Sequence, residues 1–266
     1  MSNPAQTELK SLDKHEVINA FLWLQGHVLE MLSGDQVECP FCGVKLSRFL
    51  PHGKAAEAAS KWRIIGAGSR SNGLCPSCFS IDRERLVYLY LFQHTTIFTQ
   101  PSRVLHVAPE LRLTRLLSQQ TQIEYTTTDL NPKGVMVQAD ITAMPFEDEV
   151  FDFVICNHVL EHIPDDRAAM SEIFRVLKRE GRAILQVPIS PELSTTYEDP
   201  TITSRKQRLE AFGQDDHVRV YAADYIDRLR DCGFEVHVYE PQSELKPEVV
   251  ARFGLIKEER VIIGFK

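Results

Sequence analysis

The stretch Arg103-Val104-Leu105-His106-Val107-Ala108-Pro109-Glu110 sets a short apolar run directly ahead of a turn. That is the pattern of a buried strand that feeds a crossover helix. Working outward, further short apolar runs follow at 124–128, 135–138, 151–156, 183–187, 235–239 and 260–264, with helix-period segments between them. Strands that alternate with helices over this length predict an α/β domain with a mostly parallel seven-stranded sheet and flanking helices. The texture changes at Pro101, so the domain is expected to cover residues 101–266. Residues 190–221 carry Pro191, Pro200 and Gly213 without a clear period, and are expected to form a lid or substrate insertion.

Residues 1–100 are expected to form a smaller helical and metal-binding module. Val17, Ile18, Phe21, Leu22, Leu24, Val28, Leu29 and Leu32 recur at helical spacing, and Gly34 is placed to stop that helix. A second helix is expected from about Ser80, its N-terminus favoured by Asp82 and Glu84. Between the two helices, Cys39-Pro40-Phe41-Cys42 and Cys75-Pro76-Ser77-Cys78 form two knuckles, each able to aim two thiolates at one ion. Four sulfur ligands close a tetrahedral site, so Cys39, Cys42, Cys75 and Cys78 are expected to hold a structural Zn2+. His52 lies between the pairs and is expected to be a bystander. Cys156 and Cys232 are expected to be small core residues.

In an open α/β sheet the ligand lies beyond the carboxyl ends of the strands. The first βα turn follows Val107, and about 20 residues later Asp129 ends the second strand, where a carboxylate can accept from both hydroxyls of a ribose. Asp129-Leu130-Asn131-Pro132, Ala139-Asp140-Ile141-Thr142-Ala143-Met144-Pro145-Phe146, Phe151 to Ile163 and Arg175 to Gly181 together resemble the class I S-adenosylmethionine-dependent methyltransferases, in particular a type 11-like methyltransferase domain. The resemblance covers roughly 102–190 and implies a Rossmann-like fold. It also implies that Asp129 holds the ribose, that Leu130 and Ile141 sandwich the adenine, and that Asp140 accepts its amine. Asn157 and His158 would then face the methionine end. The first motif departs from the family: His106 stands where an acid is usual, and Ala108-Pro109-Glu110 replaces the glycine-rich turn. Glu110 is the expected partner for the ammonium of the cofactor.

Methyl transfer needs the acceptor held in line with the methyl group and, for a hydroxyl, a base. His158, His162 and His217 are the candidate bases because histidine titrates near neutral pH. Glu161 with His162 also resembles the pair that joins in binding a divalent ion in related hydroxyl methyltransferases. Tyr197, His217, Arg219 and Tyr221 collect polar and aromatic groups in the insertion, and are expected to line the acceptor site.

Thirty basic against 37 acidic residues give a net charge of −7, which argues against a surface that wraps nucleic acid. The leading acceptor class is therefore a small polar metabolite, with an oxygen, nitrogen or sulfur acceptor atom. RNA is the second class, because Lys45, Arg48, Lys54, Lys61, Arg63 and Arg70 stand against Glu57 alone between residues 43 and 74. A non-catalytic zinc-knuckle adaptor is the third. No apolar run is long enough to span a membrane, and Met1 to Lys10 lack the make-up of a secretory signal, so a cytoplasmic address is expected. Oligomeric state is not legible.

Overall fold

A computed structural model describes residues 13–266, so the reading of Met1 to Lys10 lies outside the described residues. The central sheet has seven strands: β1 (Ser102–Val107), β2 (Ile123–Asp129), β3 (Val137–Gln138), β4 (Phe151–Cys156), β5 (Leu177–Ile184), β6 (Glu235–Tyr239) and β7 (Val261–Phe265). Their order is β6-β7-β5-β4-β1-β2-β3. Neighbours are parallel except β7, which runs antiparallel to both β5 and β6. This is the expected Rossmann-like α/β architecture. The strand order reverses between β1 and β4, and a crevice opens at such a reversal.

Both faces of the sheet are buried, and the alternation along single strands shows it. Leu105, Val107, Val154 and Cys156 join one apolar cluster, while Val104, Phe153 and Ile155 join the other. On the first face lie α4 (Asp166–Val176) and α6 (Tyr225–Asp231), through Met170, Ile173 and Leu229. On the second lie α2 (Asp82–His94) and α3 (Leu111–Ser118), through Leu86, Leu89, Leu113 and Leu117. Thus α2 precedes residue 101 in sequence yet packs as a flanking helix of the sheet.

Two local expectations need correction. Strand five was expected at 183–187, but β5 starts at Leu177, directly after α4, and ends at Ile184. Arg179-Glu180-Gly181 has the composition of a turn. It is absorbed as an irregularity in the β4–β5 register, where Glu180 takes a φ of 65°. The first helix, α1 (Lys14–Met31), is present with Asp13 as its N-cap, but Gly34 does not stop it. Leu32 caps α1, and Gly34 lies in the strand Ser33–Glu38. A Cβ on Gly34 would come within 2.7 Å of the Ser47 backbone nitrogen, so close approach of two chains accounts for the glycine. The insertion 190–221 contains α5 (Arg205–Phe212).

Around the cysteines, two antiparallel ribbons form: Ser33–Glu38 with Lys45–Leu46, and Leu50–His52 with Arg70–Leu74. Arg85 ties this module to the sheet domain. Fully buried and stacked 4.3 Å from the ring of Phe49, it donates to the carbonyls of Asn72, Gly73, Ser80, Phe253 and Gly254. Two of those carbonyls follow the last helix, Pro247–Arg252, and three belong to the module. No helix among the described residues is long and apolar enough to cross a membrane.

Candidate functional site

The register of the sheet aligns the strand ends that matter. Val107 pairs with Thr128 and with Cys156, and Asp129 pairs with Gln138. Ala108, Asp129, Ala139 and Asn157 therefore emerge side by side at the carboxyl edge. A cavity of about 660 Å³ lies there, lined among others by Ala108, Asp129, Leu130, Asp140, Ile141 and His158. Five of the ten residues expected to bind the cofactor thus share one wall with His158. The sequence reading did not single out Thr128, Ala139, Thr142, Val159 or Pro164, which line the same cavity. Thr128 and Ala139 were signalled by position at a named strand end, and Thr142, Val159 and Pro164 by position in the loops that follow β3 and β4.

Asp129 uses one carboxylate oxygen to accept from Asn131 N at 2.7 Å, and its other oxygen has no partner among the described residues. Asp140 is exposed. Its Oδ1 accepts from the backbone N–H and the hydroxyl of Thr142, and these hold its carboxyl below the usual range. Ile141 is buried below the cavity, whereas Leu130 is 69% exposed and stands over it as a free apolar flap. The first turn manages without glycine at a conformational cost: Ala108 has a φ of 46° in the left-handed region. His158, at the end of β4, has a φ of 53°, and its N–H donates to Gln186 O at 2.7 Å. Both strained residues line the cavity, and strained backbone collects at functional positions.

His106 and Glu110 do not line the cavity. His106 is fully buried between Tyr125 Oη at 2.8 Å and Glu110 Oε2 at 2.6 Å. Burial disfavours the charged form of Glu110, but the hydrogen bond from His106 overrides it and keeps the carboxyl below its usual range. Glu110 Oε1 remains buried with no partner. Pro109 connects Ala108 to this pair. Asn157 is buried with both amide atoms unpartnered, an unsettled state for a buried amide and one that a ligand would relieve.

The candidate bases lie near one another. His158 Nδ1 lies 3.4 Å from Glu161 Oε1, while His158 Nε2 is buried without a partner. His162 Nδ1 lies 3.4 Å from Asp216 Oδ2, and its ring meets that of His217 edge-on at 4.6 Å. Burial, and then the charge of Arg83, push His158 well below the usual histidine range. His162 is lowered by burial too, and His217 falls to about 3 through burial and the neighbouring His162. Burial raises Glu161 to about 8. At neutral pH three uncharged imidazoles therefore face a protonated carboxyl. Glu161, His162 and His217 also place ligand atoms within 4.8 Å of one another, so they could hold a cation.

The remaining lid residues fall elsewhere. Tyr197 packs on Trp62 and Phe212. Arg219 is buried and donates to the carbonyls of Leu160, Ile163 and Pro164 and to Glu198. Tyr221 is fully buried and donates to Asp166 Oδ2 at 2.8 Å. Arg219 and Tyr221 thus clamp the loop after β4 that carries Glu161 and His162, and neither contributes to the cavity wall.

Glu259 was not foreseen. It is 3% exposed, accepts from Gln186 Nε2 at 3.0 Å, leaves Oε2 unpartnered, and burial raises it to about 7. An unfolded glutamate titrates near 4.3. Between that value and about 7 the unfolded chain has released a proton that the folded chain retains, so stability falls as pH rises through this window and levels above it. Glu259→Gln keeps the acceptor for Gln186 and should remove this component. Urea unfolding at pH 5 and pH 7.5 should show wild type losing on the order of 2 kcal/mol relative to the variant. Parallel pH profiles for the two proteins would refute it.

The cysteines meet. Cys39 Sγ lies 3.5 Å from Cys78 Sγ, Cys42 Sγ lies 3.9 Å from Cys75 Sγ, and all four sulfurs fall within 4.8 Å of one another. A tetrahedron with bonds of about 2.3 Å has edges of roughly 3.8 Å, so the four thiols fit one zinc ion. His52 is not among them.

Comparison with known proteins agrees with the strand-end geometry. The uncharacterized methyltransferase YcgJ of Bacillus subtilis is 31% identical over 101 residues, covering 36% of this chain and 38% of YcgJ. The demethylmenaquinone methyltransferase of Mycobacterium marinum is 30% identical over 97 residues, covering 35% of this chain and 42% of that protein. The chain thus matches under half the length of these relatives. Among solved structures, YcgJ superposes with a TM-score of 0.41 at 18% identity, covering 64% of this chain and 92% of that one. Over residues 101–185 the sequence matches the family described as methyltransferase domain.

Proposed function

We propose that this chain is an S-adenosylmethionine-dependent methyltransferase that acts on a small polar acceptor and is braced by a structural zinc ion on Cys39, Cys42, Cys75 and Cys78. One observation carries the reading: Asp129 and Asp140, with Leu130 and Ile141, stand at adjacent strand ends around one cavity at the reversal of the sheet. A nucleoside fits such donors, with the ribose on the free oxygen of Asp129 and the adenine between Leu130 and Ile141. When bound, S-adenosylmethionine supplies an activated methyl group.

The chain itself orients, excludes water and moves a proton. Asn157, its amide unpartnered, binds the polar end of the cofactor. For a hydroxyl acceptor, the proton passes to His158 Nε2, which is uncharged, buried and free. Glu161, 3.4 Å from Nδ1, orients the ring so that Nε2 is left free to take the proton. Arg219 and Tyr221 position Glu161 by holding its loop.

S-adenosylhomocysteine tests the reading without knowledge of the acceptor. At 100 times its dissociation constant a ligand stabilises the fold by about 2.7 kcal/mol, so the melting temperature should rise by about 5–10 °C. Absence of any shift, with no heat in calorimetry, would refute the proposal.

A further inference from the structure

A second cavity, of about 640 Å³, lies on the module side of the site. Its wall includes Lys54, Gly66, Arg70, Arg83 and Asp215. It adjoins the strand-end cavity through a thin partition. A Cβ added to Gly66 would stand 3.3 Å from His158 Cε1 and 2.9 Å from a Glu259 oxygen, and His158 lines the other side. Asp215 and Asp216, consecutive in the chain, line one cavity each.

The charges of this second cavity do not cancel. Arg70 is matched by Asp82 at 2.5 Å, both side chains largely buried, and Asp215 faces Arg205 at 3.7 Å. Arg83 is the exception. It is half-buried, its side chain makes no hydrogen bond or ion pair among the described residues, and its Nε is enclosed without a partner. It lines this cavity, and Gly66 stands between the cavity and His158. Neither of the buried carboxyls Glu161 and Glu259 makes an ion pair with Arg83, and both keep unpartnered oxygens of their own. A half-buried guanidinium with no partner in the protein is open to a ligand, and a planar oxyanion is the group it pairs with best. Lys54, exposed at the rim, adds a second positive charge with no acid paired to it among the described residues.

Resting on the methyltransferase reading, we propose that the acceptor carries an anionic group, a phosphate or carboxylate. Arg83 and Lys54 hold that group in the second cavity while the methyl-accepting end reaches past Gly66 to His158. This narrows a small polar acceptor to an acidic one, and gives the N-terminal module a share in substrate recognition.

Inorganic phosphate and acetate serve as probes, titrated by calorimetry at low ionic strength into the zinc-loaded full chain with and without S-adenosylhomocysteine. Phosphate or acetate should bind at millimolar concentration, and the stronger of the two names the class of anion. Arg83→Gln should weaken that binding by about tenfold or more, Arg83→Lys by less, and Lys54→Gln by a small factor that vanishes with added salt. Affinity for S-adenosylhomocysteine should change less than about twofold in all three. The proposal is overturned if neither anion binds, if Arg83→Gln leaves anion affinity unchanged, or if the variant loses the cofactor product instead, which would assign Arg83 to the cofactor. Failure of the wild type to bind S-adenosylhomocysteine would sink the parent reading by a separate measurement.

Discussion

Asp129→Ala should weaken S-adenosylhomocysteine binding on the order of 100-fold, equivalent to about 2.7 kcal/mol, while leaving the fold almost as stable as before. The asymmetry follows from its contacts. Its carboxylate has one internal partner, the N–H of Asn131 at 2.7 Å, so removing it costs the chain one exposed turn contact. Toward a ribose it offers two charge-assisted hydrogen bonds in a crevice walled by apolar side chains, where such bonds are strongest. Asp129→Asn should retain the turn and lose about tenfold, since an amide accepts one of the two bonds without the charge. Asp140→Ala should cost less than Asp129→Ala, because Oδ1 of Asp140 is already committed to Thr142 and the residue is exposed. Calorimetry on the three variants orders them. Asp129→Ala within about threefold of wild type would mean the cavity is not the nucleoside site.

Asp140 and His158 were picked out by the resemblance of the motifs that carry them to a known family. In a parallel sheet a residue just past an apolar run emerges at the ligand edge, and this logic located Ala108 and Asp129. It failed where function depends on direction within a loop or on partners distant in sequence. Arg219 and Tyr221 have the composition of a binding surface, yet the loop after β4 exposes carbonyls at Leu160, Ile163 and Pro164 that need donors, and these two side chains turn inward to supply them. His106 and Glu110 occupy the right positions but satisfy each other. Arg83 and Glu259 were invisible because Arg83 lies on α2, ahead of the sheet strands, and Glu259 lies just ahead of β7, distant in sequence from the motifs though beside Gln186 in space. Charged residues at the start of α2 read as favourable to a helix N-terminus, a role that Glu84 does fill by accepting from Ile81 N and Arg112 N. Nothing in their spacing shows that Arg83, one residue earlier, faces a cavity.

If the four cysteines hold zinc as proposed, its removal, by a chelator or by Cys75→Ser, should lower the melting temperature by roughly 10 °C and abolish the proposed methyl transfer. Both effects exceed those of any substitution in the nucleoside crevice. The apolar cluster around the cysteines is small, with Leu32, Val37, Leu46 and Phe49 as its main buried members besides the thiols. Without the ion little else draws the two ribbons together, and such modules depend on metal for their folding energy. The damage should not stop there. Of the five carbonyls on Arg85, those of Asn72, Gly73 and Ser80 belong to the module; if they move, a buried guanidinium loses most of its partners. Arg70 likewise leaves Asp82, a residue 3% exposed at the first turn of α2. Uncompensated buried charges cost about 3 kcal/mol or more, and for a chain of this size each kcal/mol shifts melting by about 2–4 °C. Because α2 packs directly on the sheet, the loss reaches the catalytic half and also displaces Arg83. Cys42→Ser should be milder than Cys75→Ser, since Cys42 is exposed where Cys75 is fully buried. Metal analysis should find one zinc per chain, and scanning calorimetry with and without chelator measures the shift. A chain that binds no zinc, or melts at an unchanged temperature after its removal, would show that the four thiols stand together for some other reason.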